Sequence, residues 1–349
     1  VIDLIGKSFP GGKPFTRVGV ARGTYDTQLT EVEFTRGMGE RLGLYLVWNW
    51  ERTQGDRQNS DSDRKYLNGD VSFELRKPAR IRVQGERVER ARGVPGTSES
   101  PSSTRNTATG DRVMFEIEKA DMNVRVYRQE MSLDQNDPGS YESSRLVGFS
   151  LANRLDLRQH LLVVGADMRE ETFGGQWSGS HRRRGLGIFG QGQMQVHPLV
   201  LLVPGVRYDL PRQVSPRVSL RYCPAMELRL SGSVGRSFRS PTLRELYLNP
   251  PLQFCDSVGN PNLEQEAMVH SNIGFAYRRT GLYLQGSLFL YRVENRIAWS
   301  AEEEAWTTGN QGRSEPKGVE VDLEKGGMGG FSVGAVSYTH LRAHETGRN

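Results

Sequence analysis

The segment Met226-Glu227-Leu228-Arg229-Leu230-Ser231-Gly232-Ser233-Val234-Gly235 alternates from its first residue to its last. Successive side chains of an extended chain point to opposite faces, so Met226, Leu228, Leu230, Gly232 and Val234 share one face and Glu227, Arg229, Ser231, Ser233 and Gly235 the other. The split recurs at Leu162, Val164, Ala166 and Met168 against Gly165, Asp167 and Arg169, and at Ile81 and Val83 against Arg80, Arg82 and Gln84. It recurs again at Val319, Val321 and Leu323 against Glu320, Asp322 and Glu324. Helical periodicity is nowhere sustained, and the chain reads as all-β.

Composition narrows the class. The 349 residues hold 40 Gly, 16 Pro and 36% hydrophobic residues, and the mean hydropathy is −0.58. A membrane-spanning helix needs about 20 consecutive apolar residues, and the longest apolar runs, at 161–164 and 199–203, are far shorter. A transmembrane barrel escapes this exclusion, because its strands alternate lipid-facing and lumen-facing residues and stay polar on average. The 46 basic and 41 acidic residues are interspersed, and the one compact basic cluster is His181-Arg182-Arg183-Arg184, so no nucleic-acid partner is expected. Two cysteines, Cys223 and Cys255, do not define a redox compartment. No secretory signal opens the chain, and the natural N-terminus is expected upstream of Val1.

A soluble sandwich would alternate in the same way, so the connections decide. Short turns are expected near 37–40, 77–79, 120–121, 156–160, 197–198 and 223–225, and long polar loops near 52–64, 91–110, 132–144, 172–182, 238–263 and 301–311. Short turns at one end and long loops at the other mark an outer-membrane barrel. About seventeen strands fit between Arg17 and Val336. The third, 41–51, places Leu42, Leu44, Leu46, Trp48 and Trp50 on one face, with the tryptophans at the level of an outer aromatic girdle.

Two segments carry a family resemblance. Gly235-Arg236-Ser237-Phe238-Arg239-Ser240-Pro241-Thr242-Leu243-Arg244-Glu245-Leu246-Tyr247 and Gly259-Asn260-Pro261-Asn262-Leu263-Glu264-Gln265-Glu266 resemble the motifs on either side of one extracellular loop in TonB-dependent outer-membrane receptors. Val1-Ile2-Asp3-Leu4-Ile5-Gly6-Lys7 is similar to the last plug strand of that family. Ser215-Pro216-Arg217-Val218-Ser219-Leu220-Arg221-Tyr222 resembles the strand before the loop motif, and Asn310 with Lys317-Gly318-Val319-Glu320 a later signature.

The resemblance implies a barrel of 22 strands filled by an N-terminal plug, in the outer membrane of a Gram-negative bacterium. Residues 1–10 would end the plug and 11–336 would form a partial, incomplete barrel. Residues 337–349 resemble a translated sequencing adaptor, and are set aside together with His340 and His344. The implied function is TonB-dependent import of a ferric siderophore or cobalamin by a monomer. Its partners would be membrane lipid, lipopolysaccharide, the small-molecule cargo, and the TonB complex acting through a plug and TonB box outside this sequence. A passive porin and a soluble sugar- or protein-binding β-sandwich are the alternatives.

Site readings follow the loops. Phe238, Arg239, Pro241, Thr242, Leu243, Glu245, Leu246 and Tyr247, with Gly259, Asn260, Pro261, Leu263 and Glu266, form the motif loop, read either as a ligand-contacting gate or as a shaped connection. Pro fixes φ, Gly259 admits positive φ, and Asn bonds locally. Trp177, Arg182, Arg183 and Arg184 are candidate contacts to an anionic ligand or a lipid phosphate, against a solvated loop edge. Asp56, Asp61 and Asp63 are weak calcium candidates, offering three side-chain positions where six or more oxygens are needed. Cys223, at a turn, and Cys255, in a loop, should lie too far apart to bond. No catalytic constellation stands out, neither enzymatic activity nor a cofactor is expected, and Glu302, Glu303 and Glu304 share a loop rather than facing each other.

Overall fold

A computed structural model describes residues 14–39, 41–76, 78–97, 101–136, 139–249, 257–301, 306–326 and 332–341. Residues 1–10, Cys255, Glu302, Glu303, Glu304 and 342–349 lie outside the described residues. The strands are β1 (Phe15–Gly23), β2 (Thr27–Met38), β3 (Leu42–Thr53), β4 (Ser62–Arg76), β5 (Ala79–Gly93), β6 (Arg105–Lys119), β7 (Met122–Asn136), β8 (Gly139–Leu157), β9 (His160–Gly175) and β10 (Gly179–His197). They continue as β11 (Val200–Asp209), β12 (Gln213–Ala225), β13 (Leu228–Arg239), β14 (Ser257–Val258), β15 (Glu266–Arg279), β16 (Leu282–Ala301), β17 (Trp306–Ser314), β18 (Lys317–Gly326) and β19 (Ser332–Leu341). One short helix, α1 (Leu243–Tyr247), interrupts them.

These nineteen strands belong to one sheet, and the ladders within β1–β7, β10–β13 and β15–β19 are antiparallel. Two facts bring nineteen to the seventeen expected. β14 has two residues, and β17 and β18 pair with β16 in one unbroken register, from Ala301↔Trp306 to Leu282↔Lys325. They are one strand interrupted at Pro316, which has no N–H to give the ladder, although its carbonyl accepts from Tyr291 N–H at 2.8 Å. The chain forms two compact units. The first holds β1–β7 with residues 139–152, 167–185, 247–249 and 257–259; the second holds 153–166, 186–246 and β15–β19.

Connection lengths are less segregated than expected. One end of the strands has tight turns, at 120–121, 158–159, 198–199 and 280–281 and after β2, while the other has the longer 54–61 connection together with three-residue turns at 24–26, 176–178 and 210–212. Gly39 and Gly281 adopt positive φ there, which glycine reaches without strain, and Ala120 and Arg158 hold the same region in their turns. The expected turn at 223–225 lies instead at Met226 and Glu227, because Ala225 pairs directly with Leu228 and closes a two-residue hairpin. Cys223 is consequently a ladder residue of β12 with a free thiol.

Three expected loops are also corrected. β7 and β8, β9 and β10, and β16 and β17 run far into 132–144, 172–182 and 301–311 as extended hairpins. The ladder continues where both faces meet water, so the apolar–polar alternation that signals a strand is lost although the strand persists. β19 runs through Ser337–Leu341 of the segment set aside as a foreign tail, in register with β18.

Burial is inverted relative to a soluble domain. Among the described residues nine polar or charged side chains are buried against seven hydrophobic ones, while Leu67, Val71, Phe73, Val83, Val113, Phe115 and Val126 are exposed. That exposed apolar surface excludes a soluble sandwich, whose inward positions would hold these residues. In the first unit the apolar band ends obliquely. Trp50 lies opposite Lys65, Leu67 opposite Arg87, and Val113 opposite Arg128. From Trp50 on β3 to Val126 on β7 the edge descends by about six residues over four strand spacings, a slope of about 45°. Strands tilted by about 45° across a flat slab of lipid give such an edge.

The inward face of the first unit carries linked charges. Glu33, 3% exposed, accepts from the Tyr45 hydroxyl at 3.0 Å and pairs with Arg17 at 2.8 Å. Asp70, fully buried, pairs with Arg82 Nε, and Arg82 Nη1 lies 3.9 Å from Glu116. Glu116 accepts from Asn123 at 2.9 Å and from Arg125 at 2.7 Å. Buried charges persist only when paired in this way.

Candidate functional site

The motif residues of the second unit, 238–246 and 260–266, are built around Arg239, while Tyr247 and Gly259 fall in the first unit. Arg239 ends β13 and Glu266 opens β15, and the two are register partners. The guanidinium donates Nε to Glu266 Oε2 at 2.8 Å and Nη2 to Oε1 at 3.0 Å, a bidentate pair, while Nη1 reaches the two Glu245 oxygens at 3.1 and 2.9 Å. Glu245 also closes a capping box. Its N–H donates to Thr242 Oγ1 at 3.1 Å, and its carboxylate accepts from Thr242 N–H at 2.7 Å and from the Thr242 hydroxyl at 3.0 Å. Sequence reasoning missed this box, although the spacing Thr242-x-x-Glu245 carries its signature.

The lock extends through backbone groups. Glu245 O accepts from Asn260 N–H at 2.8 Å and from the Thr308 hydroxyl at 2.9 Å, and Glu266 Oε1 accepts from Ile297 N–H at 2.6 Å. Asn260 Oδ1 accepts from Asn262 N–H at 2.9 Å, the local bond expected of it. Asn310 Oδ1 accepts from Glu264 N–H at 2.8 Å, and its amide donates to Glu264 O and Asn295 O at 3.0 and 2.9 Å. The motif loop and the β16–β17 hairpin are thereby tied together. Pro241 and Leu243 are buried, Phe238 pairs with Ala267, Leu246 N–H closes the α1 turn onto Thr242 O, and Pro261 is exposed beside half-buried Leu263. Among the described residues Gly259 is not one of the positive-φ glycines. Its N–H instead bonds Leu248 O at 2.6 Å, so the expected left-handed turn is replaced by a straight tie.

Charge on the lock is fixed. Burial is the largest influence on Glu245 and would raise its pKa, but bonds from Thr242 N–H, Arg239 and the Thr242 hydroxyl outweigh it and hold the carboxyl below its ordinary 4.5. Glu266 is held low chiefly by Arg239, against burial and with help from Ile297 N–H. A carboxylate whose folded pKa is depressed stabilises the fold above its ordinary value, and that stability is lost as pH falls through the depressed one. Hydrogen-exchange protection at Asn260 is therefore expected to be full at neutral pH and to collapse as pH falls below the ordinary 4.5 of Glu245 and Glu266. Glu266→Gln should lower protection at neutral pH by roughly fivefold, a modest figure because Arg239 is 40% exposed. Equal protection of both forms at both pH values would contradict the lock.

The first unit holds the remaining candidates. Trp177 sits at the tip of the β9–β10 hairpin, half-buried. His181 stacks on Tyr247 with centroids 3.7 Å apart and rings within 2° of parallel, and its Nε2 lies 2.7 Å from Ser178 O. The arginine run faces acids on β9. Arg183 pairs with Glu171, Arg184 with Glu170 at 2.7 Å, and Arg182 lies 3.8 Å from Glu170.

The three aspartates do not converge. Asp61 takes both Arg105 amino groups, at 2.9 and 2.6 Å, and that bond holds its pKa low. Asp63 accepts from Trp50 Nε1 at 3.3 Å, Asp56 from Ser60 at 3.4 Å, and no acidic cluster suited to a metal occurs among the described residues. The calcium reading has no geometric support. Sequence reasoning missed Asn59, whose amide nitrogen donates to Val94 O, Ser102 O and Thr104 O at 2.8–3.1 Å and pins two loops together. Its left-handed φ of 55°, which asparagine tolerates, could have been suspected from its place in an Arg-Gln-Asn-Ser turn.

A family model described as TonB dependent receptor-like, beta-barrel matches residues 10–349. Among characterised proteins, the ferric enterobactin receptor PirA of Pseudomonas aeruginosa is 23% identical over 201 residues, 45% of this chain and 27% of that receptor. The vitamin B12 transporter BtuB of Vibrio vulnificus is 26% identical over 107 residues, 30% of this chain and 16% of the transporter. Among solved structures, the siderophore receptor PirA from Pseudomonas aeruginosa aligns with a TM-score of 0.74 at 18% identity, over 90% of this chain and 61% of that one. The copper transporter OprC aligns with a TM-score of 0.80 at 14% identity, over 96% and 62%. The chain spans less than two thirds of each of these relatives.

Proposed function

The chain belongs to the TonB-dependent receptor-like β-barrel family, and from that premise we propose that it forms the wall and external loops of an outer-membrane importer of a scarce, bulky nutrient. The oblique apolar band carries this reading, because lipid is the environment that covers such a surface. The loop end of the strands faces the outside of the cell and the tight turns face the periplasm. Residues 1–10 end a plug, 11–336 form the barrel wall, and 337–349 are a foreign tail. The importer works as a monomer among membrane lipid and lipopolysaccharide, drawing energy from TonB through the plug.

The cargo in this reading is a ferric siderophore or cobalamin, in line with the names of PirA and BtuB. Arg239 and its two glutamates act as loop architecture that shapes the external mouth; Trp177 and the flanking arginines meet the ligand first. Deleting the gene that encodes this chain in its host tests the proposal. Growth under iron or cobalamin limitation should slow, with uptake of the matching radiolabelled complex falling to background and restored by the intact gene. Uptake that persists after the proton-motive force is dissipated would indicate a passive channel, and unchanged uptake of both complexes would refute both cargoes.

A further inference from the structure

Charged residues border the apolar band at both rims. At the loop-end rim several outward charges form ion pairs, with Arg87 3.4 Å from Asp111, Glu130 between Arg128 at 2.6 Å and Arg145, and Arg292 3.1 Å from Glu315, whereas Arg22, Lys65 and Lys317 have no ion pair among the described residues. The turn-end rim of the second unit sets two cations on either side of one leucine. On β15 the outward series Ile273, Phe275, Tyr277 ends at Arg279, and on β18 the series Val319, Val321, Leu323 ends at Lys325. Register places Leu282 of β16 between them, opposite Arg279 on one side and Lys325 on the other.

Both cations are exposed, and no ion pair joins either to an acid among the described residues. The nearby charged groups Arg278 and Glu324 belong to the opposite face, where Arg278 lies over the Tyr283 ring at 5.1 Å. Lys119, outward at the turn end of β6 in the first unit, likewise has no acid partner among the described residues.

We propose that Arg279 and Lys325, flanking Leu282 at the turn-end edge of the apolar band, bind the phosphate headgroups of anionic glycerophospholipid. The inference rests on the membrane-wall reading and adds a lipid preference to it. Tyr277, Leu284 and Leu323 lie one register row above and cover the acyl chains, which sets the two cations at headgroup depth. Among the described residues no acid lies on that face to meet them, and their spacing across Leu282 suits one headgroup phosphate.

The test uses the intact receptor reconstituted in phosphatidylcholine vesicles with a minor fraction of phosphatidylglycerol, reading the lipid in contact with the protein with spin-labelled analogues. Phosphatidylglycerol should be enriched over phosphatidylcholine by about fivefold per cation, and the enrichment should fall with salt. Arg279→Gln with Lys325→Gln should abolish most of it, and Arg292→Gln should leave it unchanged. Equal retention of both lipids by the wild type, or unchanged enrichment in the double variant, overturns the proposal while insertion itself remains intact. Competition by free inorganic phosphate at millimolar concentration would show an anion site rather than a lipid site and would also overturn it. Failure of the receptor to insert would instead refute the membrane-wall reading.

Discussion

Ile273→Arg is expected to destabilise the membrane-inserted receptor by about 2–4 kcal/mol, the cost of a cation at mid-bilayer on the lipid face of a barrel. Ile273 is 71% exposed and lies at the centre of the apolar run Val269 to Tyr277 of β15. Its neighbours on the same face, Gly232 and Leu288, offer no charge. The same substitution at Arg279 or Lys325 depth should cost close to nothing, because the penalty falls steeply toward the interface. For a soluble protein the expectation reverses, since replacing an exposed isoleucine by arginine on a wet surface is neutral within about 0.5 kcal/mol. Urea unfolding in lipid vesicles, followed by the heat-modified mobility shift of folded barrels, separates these outcomes.

Asp70→Ala should be the second large effect, a loss of about 3 kcal/mol. Asp70 is fully buried and pairs with Arg82, whose side chain is 17% exposed, and removing one partner leaves the other charge desolvated. Glu116 lies 3.9 Å from Arg82 but is already bound by Asn123 and Arg125, so it offsets only part of the loss. The double variant Asp70→Ala with Arg82→Ala should recover more than half of the single-variant loss, because no unpaired charge then remains. A double variant that loses the sum of the two singles would show that the pair does not act as a unit.

Much of the fold was legible in the sequence because period two survives wherever one face meets lipid and the other does not. Val319, Val321 and Leu323, or Ile81 and Val83, declare their face without reference to any neighbour. The hairpin extensions were illegible because the contrast changes sides: on β7 Glu130, Ser132 and Asp134 lie on the face that carries Val126, while Met131 and Leu133 lie on the other, so the pattern does not continue the apolar face of the strand below. The motif loop was located by its residues, but its architecture was hidden. Arg239 and Glu266 are 27 positions apart and become partners only once β13 and β15 are placed in register. The same holds for Asp61 with Arg105, which removed a carboxylate from the calcium reading. The capping box, with Thr242 and Glu245 only three residues apart, was missed although its spacing is local enough to be read from sequence.

The measurement that bears most directly on the membrane wall is a nitroxide scan along β16 from Leu282 to Leu290 in reconstituted vesicles. Collision with oxygen, which partitions into lipid, should peak at Leu284, Leu288 and Leu290, fall off at Leu282 at the headgroup edge, and be low at Tyr283, Gln285, Ser287 and Phe289. A water-soluble nickel complex should be excluded from Leu284, Leu288 and Leu290. High nickel collision at Leu284 and Leu288, equal to that at a loop site such as Arg57, would mean that this face meets water and that the chain is no membrane barrel.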